Sequence, residues 1–248
     1  MTTHVATDST GAAAADPDEA PQGGDSGVVG NERLTALAGV LLLVLILVEI
    51  ATVLTLRTLM SVHILVGVLM VGPLAVKLGS TGYRFVRYYT RSAAYVRRGP
   101  PARPLRLLAP LLVVTTVVLV ASGIGLVVTG PAEPGPLLAL HNVTFLVWLP
   151  LIAVHAVAYL ARALRLTAAD STEPRATSRL GRGPRLVTNG ASLLLGAIGA
   201  LLLLPGAPWN AWSQATQPIP APLIVGTVLT ILVLLVARPR RWTYRTGR

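Results

Sequence analysis

The chain has 248 residues, of which 53% are hydrophobic and only 12% are charged. Soluble domains usually carry about a quarter charged residues, so this composition excludes an ordinary soluble globular protein. Basic residues outnumber acidic ones by 21 to 10, which gives a formal net charge of +11, and there is no cysteine. The lack of cysteine excludes disulfides, thiolate metal sites and iron–sulfur ligation. The long apolar runs leave no room for the polar domain that a nucleic-acid-binding protein would need.

Residues 1–32 form a low-complexity segment that contains six acidic residues and no basic residue. Such a composition cannot bury a core, so we expect a disordered cytoplasmic tail. The segment lacks the basic start and short apolar stretch of a signal peptide. The sequence therefore predicts an N-terminal tail that precedes the folded part.

Six apolar segments follow this tail. Crossing a hydrocarbon layer of about 30 Å takes roughly 20 apolar residues in a helix, and the segments lack the alternation of barrel strands. The sequence predicts an all-α integral membrane bundle of six transmembrane helices: a four-helix core over 33–165, a basic loop over 166–186, two additional helices over 187–237 and a basic tail over 238–248. The segments are 34–56, 60–79, 107–129, 137–161, 187–205 and 221–237.

The arginine residues are distributed unevenly among the connections. The connection at 79–106 carries seven arginines, that at 162–186 carries six, and the tail after 237 carries five. The intervening connections hold a single basic residue, Arg57. Because basic residues concentrate on the cytoplasmic side of membrane proteins, this alternation predicts that both termini are cytoplasmic. The excess of positive charge therefore reflects topology and contact with membrane lipid, and not a nucleic-acid partner.

Ionisable residues inside the apolar segments are few, and such residues are functional candidates because they are costly in a membrane. His63 and His141 lie about four residues from the outer ends of the second and fourth segments. At 1.5 Å per residue both imidazoles are about 6 Å inside the outer boundary. Two imidazoles at one depth, on facing helices, are what a haem with two axial histidines requires. A dedicated zinc site is disfavoured because it needs three or four ligands.

His155 follows His141 by fourteen residues, which places it on the same helix face about 21 Å further in. Lys77 follows His63 by the same interval and so lies near the depth of His155. Lys77 reaches the cytoplasmic interface, or meets a propionate or a lipid phosphate, more readily than it ligates a metal. Three roles stay open for His155: a ligand of a second haem, the ligand of a five-coordinate site, or a partner in an interhelical hydrogen bond.

With His63 on one helix and with His141 and His155 fourteen residues apart on another, residues 34–165 resemble the membrane cytochrome b subunits of the cytochrome b561 type. This group includes the b subunits of bacterial formate dehydrogenases and nickel–iron hydrogenases. The resemblance implies that His63 and His141 ligate one haem b, and that His155 matches a ligand of a second. The expected fourth ligand is missing, because residues 34–45 contain no histidine. The sequence therefore supports one haem.

Several residues near the histidine pair are weaker candidates for haem contacts. Gly67, Gly123 and Gly125 would let a flat macrocycle approach the helices, although glycine also serves helix packing. Arg57 could pair with a haem propionate or anchor a lipid head group. Glu49 could relay protons, line a quinol site or hydrogen-bond the second ring nitrogen of a ligand, or be a protonated, satisfied carboxyl group.

The leading hypothesis is an electron-transfer subunit of the bacterial inner membrane, with one haem b near the outer face. It would exchange electrons with quinol or with a partner redox subunit that supplies the substrate chemistry. The alternative is a haem-free small transporter, or an accessory subunit of a larger complex, in which Glu49, Lys77 and His155 form a proton or substrate path. A ferric-reductase-like domain would need a partner, because no nucleotide-binding motif occurs in the chain.

Overall fold

The computed structural model describes residues 23–99, 102–132, 134–172, 181–204, 208–216 and 220–239. These residues form helices and short connections, with no strand among them. The helices are α1 (Gly23–Val53), α2 (Leu56–Leu69), α3 (Val71–Tyr89), α4 (Ala93–Arg98), α5 (Arg103–Thr129), α6 (Gly135–Thr172), α7 (Arg182–Leu203), α8 (Trp209–Thr216) and α9 (Ala221–Ala237).

Five stretches of helix are long and apolar enough to cross a membrane. They belong to α1, to α2 and α3 taken together as one span, to α5, to α6 and to α7. α8 and α9 are long and apolar enough to cross a membrane only when they are taken together as one broken span, with a bend of 83° between them. The all-α membrane bundle predicted from the sequence is confirmed, and the chain is a multi-pass membrane protein. The predicted sixth crossing, and with it the predicted cytoplasmic C-terminus, depends on α9, whose 17 residues reach about 26 Å.

The helices extend beyond the segments expected from hydropathy. α1 begins at Gly23, inside the segment predicted to be a disordered tail over 1–32. α6 continues to Thr172 and α7 begins at Arg182, so both enter the predicted loop at 166–186. The rest of the predicted tails and loop, at 1–22, 173–180 and 240–248, lies outside the described residues. The extensions are polar, so an apolar criterion ends the segments too early.

A charged cluster explains why the polar start of α1 is folded. The buried Glu32 side chain, 5% exposed, lies 2.8 Å from Arg98 Nη2, 2.9 Å from Arg162 Nη2 and 3.5 Å from Arg84 Nη1. Arg98 also donates through Nε at 3.0 Å, so it binds the carboxylate with two hydrogen bonds. We call these four residues the arginine cluster. It joins α1 to α3, α4 and α6, and it marks the end of the bundle called inner below.

The hydrogen-bond ladder of the second span is interrupted between α2 and α3, although Met70 keeps helical backbone angles. Pro73 has no N–H to donate to the carbonyl group of Leu69, the residue four positions earlier, which favours a break there. α7 packs over this point, because a Cβ on Gly196 would overlap the Leu69 carbonyl and a Cβ on Gly72 would overlap the Ser192 carbonyl. Small residues thus bring α7 against the interrupted backbone.

The other helices surround a central space. α1 packs against α2, α3 and α6, and α5 packs against α6 and more sparsely against α2. α9 lies on α6, and α8 lies on α2 at the outer end. The buried side chains of the outer core come from α2, α5 and α8 and are Met60, Ile64, Leu126, Val127 and Trp209. Trp209 Nε1 donates to the Leu126 carbonyl at 2.9 Å, which fixes α8 over the outer end of the central space.

Candidate functional site

The central space is a cavity of about 510 Å³ between the helices. Its lining extends from Trp209 and Trp212 at the outer end to Thr81 and Ala163 near the inner end. Most lining side chains are apolar, and the acidic and basic ones are His63, His141, Glu49, Lys77 and His155. This size is ordinary for a small-molecule or cofactor site, as is an apolar wall with a few polar groups.

His63 is held from the α1 side by two polar residues. Its Nδ1 lies 3.0 Å from Glu49 Oε1 and 3.0 Å from Thr52 Oγ1. The Thr52 hydroxyl donates its own hydrogen to the Glu49 carbonyl group at 2.6 Å. The hydroxyl oxygen is therefore left to accept a hydrogen bond from the imidazole, which assigns the proton of His63 to Nδ1.

His141 is held from α5 in the same way. Its Nδ1 lies 3.0 Å from Ser122 Oγ, and the Ser122 hydroxyl donates to the Leu119 carbonyl at 3.0 Å. The Ser122 oxygen is again the acceptor, so the proton of His141 is also assigned to Nδ1. Both rings then carry the free lone pair on Nε2, which is the atom that a metal ion would bind.

The two histidines, which sequence spacing placed at one depth, line the same cavity. Gly67 and Gly123 also line this outer half. A Cβ on Gly123 would lie 3.1 Å from His141 Cε1, and a Cβ on Gly67 would lie 3.1 Å from Glu49 Oε1. Gly123 therefore leaves room for the His141 ring, and Gly67 leaves room for the Glu49 carboxylate that contacts His63.

Gly125 and Arg57 are not part of the same group. A Cβ on Gly125 would lie 3.1 Å from Leu137 Cδ2, so this glycine brings α5 close to α6. Arg57 is exposed at the start of α2, and neither residue lines the cavity. Both remain candidates only through the sequence, and their positions favour the packing and head-group interpretations.

The inner half of the cavity is lined by Lys77 and His155. Lys77 Nζ donates to the carbonyl group of Thr35 at 3.0 Å, and a Cβ on Gly39 would lie 2.8 Å from Nζ. The His155 ring contacts the Tyr159 ring at a centroid distance of 4.9 Å. Over the part of the chain that the structure describes, neither nitrogen of His155 is hydrogen-bonded, which distinguishes it from the outer histidines.

Sequence reasoning missed the two hydroxyl groups that orient the outer histidines. Thr52 lies one helical turn after Glu49, and Ser122 directly precedes Gly123. A hydroxyl residue in an apolar span next to a candidate residue is a usable signal. It does not identify which histidine the hydroxyl contacts, because that depends on how the packed helices are rotated.

These residues fit a haem with two histidine ligands. Two oriented imidazoles, a glycine beside one ring and an apolar cavity are the features such a group needs. A polydentate metal site has less support, because no group of three or more His, Asp or Glu among the described residues is arranged to hold an ion. Comparison with protein-family models, curated proteins and solved structures finds no match to this chain.

Proposed function

We propose that the chain is a b-type cytochrome of the bacterial inner membrane, with one haem held between His63 and His141. The observation that carries the proposal is the shared hydrogen-bonding arrangement of the pair. Each Nδ1 lies 3.0 Å from a hydroxyl group whose own hydrogen is directed to a backbone carbonyl group, so we assign the ring proton to Nδ1 in both. Metal-ligating histidines are typically fixed in this way, with the second ring nitrogen donating to a protein acceptor. The resemblance to cytochrome b561-type subunits points to the same residues.

When bound, haem b would supply a one-electron redox centre in the outer half of the membrane. The chain's own residues hold and tune this site. Thr52 and Ser122 fix the ring orientations, and Glu49 places a carboxylate oxygen against His63 only. The carboxylate would make His63 the stronger electron donor of the two ligands. The apolar wall keeps water from the site.

Electrons would be exchanged with quinol or with a redox subunit on the outer face or in the membrane. The chain would then act as an electron-transfer subunit, while the partner supplies the substrate chemistry. His155 is not given a haem here, because the inner half offers Lys77 and not a second histidine.

The test is a dithionite-reduced minus oxidised spectrum of the purified protein, with His155→Ala as the matched control. We expect an α-band in the b-haem region in both proteins, because His155 is remote from the proposed ligands. A protein without this band after expression with sufficient haem would contradict the proposal. Loss of the band through His155→Ala alone would contradict the pairing.

A haem-free proton or substrate path is the second candidate function. It is favoured by the length of the cavity, which joins Glu49 and His63 to Lys77 and His155. It is also favoured by Glu49 Oε2, which is buried and has no hydrogen-bond partner among the residues that the structure describes. Colourless protein that loses proton or solute flux in vesicles through Glu49→Gln would favour this function. Coloured protein without such flux would favour the cytochrome.

A further inference from the structure

The inner half of the cavity contains a half-buried cation, Lys77, that has no acidic partner among the described residues. Lys77 donates to the backbone carbonyl of Thr35, and no carboxylate within the described ranges forms an ion pair with it. Glu49 is engaged with His63 in the outer half. Placing an ammonium group inside a membrane span is costly unless an opposite charge or a set of hydrogen bonds compensates it. The inner half therefore favours an anionic ligand.

The residues around Lys77 strengthen this preference. His155 lies near Lys77 on the same cavity and has no hydrogen bond within the described part of the chain. Its neutral ring can donate one N–H to an oxyanion. The arginine cluster lies about 10 Å further towards the inner end, since Arg84 follows Lys77 and Arg162 follows His155 by seven residues. That cluster sets three guanidinium groups against one carboxylate.

The packing of α3 and α5 around this half is sparse among the described residues. α3 packs against α1 and α7, and α5 packs against α6 and α2, whereas α3 and α5 have no extensive contact. Side chains of both nevertheless line the cavity, including Leu74 and Leu78 from α3 and Leu112 and Val113 from α5. The inner half is therefore bordered by a gap between α3 and α5, with apolar walls that suit an acyl chain.

We propose that the inner half of the cavity binds the carboxylate of a single-chain amphiphile, such as a fatty acid, which enters between α3 and α5. Lys77 supplies the positive charge and His155 supplies a hydrogen bond, while the acyl chain lies along the apolar walls. Depth favours a carboxylate over a phospholipid phosphate, because Lys77 lies about two helical turns from the arginine cluster towards the middle of the bundle, and a phosphate at the membrane surface would meet those arginines first. This site is additional to the proposed haem site and does not depend on it.

The test uses electron spin resonance of the full chain reconstituted in phosphatidylcholine vesicles. Three spin-labelled probes are compared: stearic acid, its methyl ester and phosphatidylglycerol. The motionally restricted component of each spectrum measures how strongly the protein associates with that probe. We expect association with the stearate to exceed association with its ester by about fivefold or more, which is the factor for one cation at a membrane surface. Lys77→Met should remove this preference and Lys77→Arg should retain it. His155→Phe keeps an aromatic ring but removes the N–H donor, and it should reduce the preference for stearate.

The control is Arg165→Met, which removes one positive charge from an exposed side chain of α6 that does not line the cavity. It should leave the preference unchanged. Equal loss in Arg165→Met, or full retention in Lys77→Met, would overturn the proposal by assigning the effect to general surface charge. If the phosphatidylglycerol probe is motionally restricted in a way that depends on Lys77, and the stearate probe is not, the choice of a carboxylate would be overturned. The haem spectrum, recorded on the same samples, reports the outer site separately.

Discussion

The outer and inner halves of the cavity hold their histidines differently. In the outer half, His63 and His141 each have Nδ1 hydrogen-bonded to a side chain of a neighbouring helix. In the inner half, His155 has only a ring contact with Tyr159 among the interactions that the structure assigns to it, besides its proximity to Lys77. A ligand that requires an exact ring orientation is therefore favoured in the outer half, and one that requires charge is favoured in the inner half.

The largest expected effect comes from removing either proposed ligand. His63→Ala and His141→Ala should each abolish the low-spin haem spectrum, because one imidazole cannot supply both axial positions. The spectrum and the haem content of the purified variants check this prediction. Retention of a low-spin spectrum in either variant would show that the outer pair is not the ligand pair.

Removing the hydroxyl support should have a smaller effect that differs between the two histidines. Ser122→Ala leaves Nδ1 of His141 without its side-chain acceptor and should weaken haem binding by about 10–100-fold, as for other residues that orient metal ligands. Thr52→Val should cost less, because His63 retains Glu49. Haem titration of the apoproteins measures both changes. Equal effects would show that Glu49 does not support His63.

The glycines allow a finer comparison within α5. Gly123→Ala places a methyl group 3.1 Å from His141 Cε1, which is close enough to displace the ring. Gly125→Ala meets the flexible end of Leu137 at the same distance and is the matched control. We expect a shifted haem spectrum and a several-fold loss of affinity for Gly123→Ala only. A similar change in both variants would indicate a general effect of α5 packing.

The inner end should affect stability without affecting the haem. Glu32→Gln removes the charge that joins three arginines, and we expect a loss of about 2 kcal/mol, typical of hydrogen bonds to a charged group. Thermal unfolding in detergent measures the loss, and Arg165→Gln is the control on an exposed arginine. An altered haem spectrum in Glu32→Gln would show that the two ends of the bundle are coupled.

Much of the fold follows from composition, and part of the site follows from spacing. Apolar length predicts the spans, and the helical rise places His63 and His141 together. The identity of their hydrogen-bond partners does not follow, because Thr52 and Ser122 reach the rings only through the rotation and packing of α1 and α5. The helical start of α1 could not be predicted from the local sequence either. The negative charge of Glu32 is compensated by Arg84, Arg98 and Arg162, which lie far along the chain.

The interruption at Pro73 has a consequence for the order in which the protein is assembled. A membrane interior offers no water to a carbonyl group that lacks a donor, and Leu69 loses its helical donor to this proline. The backbone that covers Leu69 comes from Gly196, more than a hundred residues later in the chain. During synthesis the second span is inserted first and remains incomplete until the fifth arrives. α7, which forms the fifth span, thus covers the backbone of the second span at Leu69. A chain that ends before α7 would leave this carbonyl group facing lipid.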